Sequence, residues 1–111
     1  MHLTLRTDFG CTEAIIDDDC GLKRFYEVAN ILSDQLAIRF TEKQDDFDTL
    51  TWNFLYKGLS LILHYNIYTG ISIYPFKTRE ARRRENDAVV EVAKFLEQTL
   101  GVFKAKRFVT Q

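Results

Sequence analysis

The chain has 111 residues, one of them proline, with 46% apolar and 14% aromatic side chains and a formal charge of −1. That length suits one domain with a buried core, and the apolar content excludes a chain disordered by composition. The near-neutral balance argues against a strongly basic nucleic-acid binder, yet the charge is uneven: residues 1–50 hold 11 acidic and 5 basic side chains (−6), and residues 51–111 hold 5 and 10 (+5).

Met1-His2-Leu3-Thr4-Leu5-Arg6 lacks the basic start and apolar core of a signal peptide. No apolar run approaches the roughly 20 residues of a membrane helix. A soluble, cytoplasmic protein is therefore expected. Cys11 and Cys20 fit neither a C-x-x-C pair nor a zinc set, and are expected as free thiols, with a disulfide or regulatory pair as the alternative.

Leu3 and Leu5 alternate with polar residues and predict a short first strand. Thr7 to Glu13 reads as a loop, and Ala14-Ile15-Ile16 as a strand or as an apolar staple for a following helix. Asp17-Asp18-Asp19 offers hard oxygen ligands for a cation, but no EF-hand spacing follows it. A helix start is the preferred reading, with a carboxylate capping free N–H groups at the positive end of the dipole. The helix is predicted from about Cys20 to Gln35, its apolar stripe formed by Leu22, Phe25, Val28, Ala29, Leu32 and Leu36. Leu36 to Thr41 then reads as a strand. Glu42 to Asp48, including Asp45, Asp46 and Asp48, reads as a solvated acidic loop rather than a metal loop.

Between Thr49 and Phe76 the pattern is sharpest. Leu50, Trp52, Phe54 and Tyr56 alternate with Thr49, Thr51, Asn53 and Leu55, and a second alternating run starts at Leu59. A two-residue turn at Lys57-Gly58 pairs Tyr56 with Leu59, Phe54 with Leu61, Trp52 with Leu63 and Leu50 with Tyr65, so all eight share one face. A three-residue loop would mix apolar with polar positions. Asn66 to Gly70 forms the next turn, setting Tyr65 against Ile71 and Leu63 against Ile73. Pro75, unable to donate to a ladder, marks the end of that third strand or a sheet edge.

A second amphipathic helix follows, its apolar side formed by Ala88, Val89, Val92, Ala93, Leu96 and Leu100, with Gly101 as a stop. Its start is either Thr78 or the Asn86-Asp87 pair, because arginines in a first turn oppose the dipole. Residues 102–111 read as a short strand or a flexible end.

Together these elements predict a single α+β domain spanning 1–111. It is a two-layer sandwich in which an antiparallel sheet of four to five strands carries two helices, about 20–35 and 79/86–100, on one face. The other face would present Leu55, Ile62, His64, Tyr74 and Phe76 amid polar neighbours, the pattern of a protein-interaction surface. The preferred reading is therefore a small interaction or regulatory protein that self-associates through this face as a homodimer, or meets a protein partner. The alternative is nucleic-acid or polyanion binding through Arg79, Arg82, Arg83 and Arg84, with Lys104, Lys106 and Arg107 between Phe103 and Phe108. A third is an enzyme assembled from distant residues, although His2 and His64 lie in no catalytic motif and the five glycines stand singly. No cofactor and no metal is expected. The segment Leu63-His64-Tyr65-Asn66-Ile67-Tyr68-Thr69-Gly70-Ile71-Ser72-Ile73-Tyr74-Pro75, in a helix, strand, meander, helix order, resembles short bacterial families of unknown function. That resemblance covers the middle two-thirds of the chain and implies no functional residue.

Overall fold

Alternating apolar and polar side chains build the central strands of a six-stranded sheet, and apolar residues at three- and four-residue steps build two helices. The computed structural model describes residues 3–18, 21–77 and 81–109. They form β1 (Thr4–Asp8), β2 (Cys11–Asp17), α1 (Leu22–Gln35), β3 (Phe40–Asp45), β4 (Thr49–Tyr56), β5 (Leu59–Asn66), β6 (Gly70–Pro75) and α2 (Arg83–Val109). All strands join one antiparallel sheet in the order β1-β2-β6-β5-β4-β3. The fold is α+β as expected, with more strands than the expected four to five.

The meander has the register that its sequence requires. Tyr56 pairs with Leu59, Phe54 with Leu61, Trp52 with Leu63 and Leu50 with Tyr65; Tyr65 then pairs with Ile71 and Leu63 with Ile73. Lys57 and Gly58 have φ of 52° and 78°, the left-handed pair of a type I′ turn. Pro75 ends β6.

The inward residues of the meander are buried in one apolar cluster with Ala14 and Ile16 of β2, and both helices contribute to it. From α1 come Phe25, Val28, Ala29, Ile31 and Leu32. The Phe25 ring stands edge-on to Trp52 at 4.9 Å and tilted to Tyr65 at 5.9 Å. From α2 come all six apolar residues that the spacing selected.

Asn86, read as a possible cap, instead grips the β1–β2 hairpin. Its Oδ1 accepts the Thr12 N–H at 2.9 Å, and its Nδ2 donates to the Gly10 carbonyl at 2.9 Å. The cap of α2 is made one turn earlier, where Glu85 Oε1 accepts the Arg82 N–H at 3.1 Å. This glutamate offsets the basic first turn, and the helix starts between the two sites expected for it.

Six local expectations are corrected. Thr7 to Glu13 is not a loop: Phe9 and Gly10, with φ of 52° and 76°, close a two-residue turn between β1 and β2. Asp17 ends β2 and lies 3.7 Å from Arg24, while the N-cap of α1 is Gly21 without a side-chain cap; Asp19 and Cys20 lie outside the described residues. Leu22 is 47% exposed rather than part of the buried stripe. The strand read at Leu36–Thr41 starts only at Phe40, because Leu36 and Ile38 both donate to the Leu32 carbonyl and Ala37 turns left-handed (φ 54°) to end α1. The acidic stretch behind it is therefore largely the edge strand β3. Finally, α2 runs through Gly101 to Val109, so the tail is not a strand; a mid-helix glycine costs only about 1 kcal/mol.

Two glycines with similar φ separate strain from space. Gly70 (φ 85°) lies against the Asp17 backbone, where an added Cβ would collide with the carbonyl, whereas Gly58 (φ 78°) faces open space. Gly58→Ala should cost about 1 kcal/mol of strain, and Gly70→Ala should cost about 3 kcal/mol because the β2–β6 pairing must also shift. Urea denaturation of both variants measures the difference; equal losses would contradict it.

Candidate functional site

The sheet pairings lay out three rows of side chains on the face opposite the apolar cluster. In the first row Ser60 sits between Leu55, its pairing partner, and Phe76, whose N–H reaches the Ser60 carbonyl at 3.0 Å. In the second, Glu42 pairs with Asn53, Asn53 with Ile62 and Ile62 with Tyr74; the β2–β6 register then sets Glu13 beside Tyr74, and Arg6 pairs with Glu13. The third row runs Gln44, Thr51, His64, Ser72, Ile15, Thr4.

Exposure divides the five residues expected on this face. Leu55 is 50% and Phe76 57% exposed, while Ile62 in the second row is only 7% exposed. His64 and Tyr74 are half-buried, their rings tilted at 5.9 Å. The His64 Nδ1 shares a hydrogen bond of 3.1 Å with Thr51 Oγ1. Burial holds the His64 imidazole below the usual histidine range, with the Glu13 carboxylate working weakly the other way. Burial, and then the same carboxylate, pushes the Tyr74 phenol up.

His64 and Tyr74 also line a cleft of about 400 Å³ with Arg6, Asp8, Phe9, Cys11 and Glu13 of the β1–β2 hairpin. Arg6 and Glu13 form an ion pair of 2.6 Å within it, and the Cys11 thiol donates to the Lys77 carbonyl at 3.2 Å. This wall is hidden in the sequence because Thr7 to Glu13 reads as a loop. The signal was present in the alternation of Arg6, Asp8, Cys11 and Glu13 about Phe9-Gly10, but Phe is an unusual residue for a left-handed turn position.

The other expected site is not drawn together in the same way. Arg79 lies outside the described residues, and Arg82, Arg83 and Arg84 are exposed at the start of α2. Arg83 approaches Asp87 at 3.8 Å, an exposed pair of small energetic weight. Arg84 lines a separate hollow with Lys57, Asp87 and Glu91, where Glu91 Oε1 accepts from both Tyr56 and Lys57 at 2.7 Å. Among the described residues no three His, Cys, Asp or Glu side chains are placed to hold a metal ion, and no helix is long and apolar enough to cross a membrane.

His64 gives the outer face a pH signature. Its folded pKa lies below the ordinary 6.5, so on acidification the unfolded chain takes up the proton first. The stability that His64 contributes is complete at neutral pH and is lost as pH falls below about 6.5. His64→Gln should remove part of the stability loss between pH 7.5 and 5.5, read from urea midpoints; an unchanged pH slope would contradict the assignment.

No curated protein and no solved structure matches the chain. A family model described as a protein of unknown function (DUF3630) matches residues 5–98, from the second residue of β1 into α2. The chain therefore belongs to the DUF3630 family, whose function is unknown.

Proposed function

We propose that this protein acts as a self-associating interaction module, with the outer sheet face as the surface that meets a second copy. One observation carries the reading. Leu55 and Phe76, both at least half exposed, flank the small Ser60 beside Ile62 and Tyr74, with Thr51, Asn53, Ser72 and Glu13 around them. An apolar centre with a polar rim is the usual anatomy of an interface, and a two-fold pair presents the same patch twice. Six strands about 4.8 Å apart make the face about 24 Å wide, near the small end of stable interfaces. A cytoplasmic setting, expected from the sequence, belongs to the same reading.

A second reading, polyanion binding, draws on the exposed side chains of Arg82, Arg83 and Arg84. Glu85 and Asp87 neighbour them and reduce the local field. Retention on heparin that falls steeply with salt would favour it, and passage through the column at low salt would remove it.

Sedimentation velocity tests the main reading. Wild type should be dimeric at about 100 micromolar, and Leu55→Asp and Phe76→Asp should each give a monomer whose urea stability is within about 0.5 kcal/mol of wild type, since both positions are already exposed. Ile62 is unsuited to this test because a carboxylate there would be buried. A wild type that remains monomeric near millimolar concentration would overturn the reading.

A further inference from the structure

From the arrangement of the three rows we infer the geometry of the pair: the two copies meet face to face about a two-fold axis that runs parallel to the strands, between β5 and β6. The inference rests on the self-association proposed above and specifies which half of the sheet meets which.

The midpoint of the strand order β1-β2-β6-β5-β4-β3 falls between β6 and β5. An axis along that line lays β1 and β2 of one copy over β3 and β4 of the other. In the middle row it sets Tyr74 over the partner's Ile62 and Glu13 over the partner's Asn53. At the ends of that row, Arg6 comes over the partner's Glu42. The Arg6 side chain is 66% exposed, and its guanidinium keeps donors free beyond the one given to Glu13. Glu42 is exposed on the edge strand.

Shape agrees with charge. The axis brings the exposed Phe76 ring over the notch at the partner's Ser60. It also carries Leu55 toward Cys11 of the partner subunit, at the end of the cleft formed by Asp8, Phe9, Cys11 and Pro75. The protruding apolar side chain lies on one half of the face and the hollow on the other, so two copies fill each other. An axis along the rows would instead oppose Arg6 to Arg6, Glu13 to Glu13 and Glu42 to Glu42, three like-charge pairs. Face-packed sheets turn by about 30°, which at about 12 Å from the axis displaces the row ends by about 6 Å, within the reach of an arginine side chain.

The test is a charge exchange measured by sedimentation equilibrium on the full chain. Arg6→Glu and Glu42→Arg should each weaken the dimer about tenfold, because each creates two like-charge contacts across the interface, and the double variant should be tighter than either single variant even though Arg6→Glu also breaks the ion pair with Glu13 within each chain. Urea midpoints of the monomeric fraction separate any loss of folding from loss of association. If wild type dimerises but the double variant is no tighter than the weaker single variant, this geometry is wrong while self-association stands. If wild type does not dimerise, both fall.

Discussion

The two-residue turn at Lys57-Gly58 is the constraint on which the rest of the fold depends. It places a non-glycine residue in left-handed backbone, at a cost of about 1–3 kcal/mol. In return it aligns Trp52, Phe54, Leu61 and Leu63 on one face, all of them buried, each contributing about 1.5–3 kcal/mol. A slip of one residue would put β4 out of step with β5, turning Trp52 and Phe54 outward and bringing Thr51 and Asn53 into the core. The apolar term exceeds the strain several times over, so the turn is held. Both faces follow from that one choice: the inner one receives the helices' apolar residues, and the outer one receives Leu55, Ile62, His64, Tyr74 and Phe76.

The two edges of the sheet are attached to this frame by different means. At β3 the tie is made through Trp52, whose Nε1 donates to Asp45 Oδ1 at 2.8 Å while the Lys43 ammonium lies 4.3 Å from its ring centre and Phe40 packs edge-on at 5.2 Å. At β1–β2 the tie is Asn86, which satisfies one N–H and one carbonyl of the hairpin from the first turns of α2. Charged residues and a bulge near Phe40 discourage further pairing at the β3 edge. The self-association proposed for the outer face would not compete with pairing at that edge.

What the sequence made legible was whatever depended on burial periodicity. The register of β4, β5 and β6, the buried stripe of α2 and most of that of α1 can be read from apolar spacing alone. Features set by long-range contact could not be. The hairpin of β1 and β2 is hidden because every residue of β1 is exposed, so its alternation marks no buried face, and its turn carries Phe9. The exit of α1 misled because Leu36, Ile38 and Phe40 do alternate, yet the first two belong to the helix end. Asn86 has good cap chemistry, and only the tertiary fold shows that the hairpin claims it. Of the outer face, the side chains on β4 to β6 were legible, and the cleft wall on β1 and β2 was not.

If the outer face, organised by that register, closes on its own copy as proposed, labelled and unlabelled chains should meet across it. Isotope-filtered nuclear Overhauser measurements on a dimer mixed from labelled and unlabelled chains test it most directly. Intermolecular contacts are expected between the Tyr74 ring and the Ile62 methyls, and between the Phe76 ring and Ser60. Intermolecular contacts confined to α1, α2 or the sheet edges would contradict it.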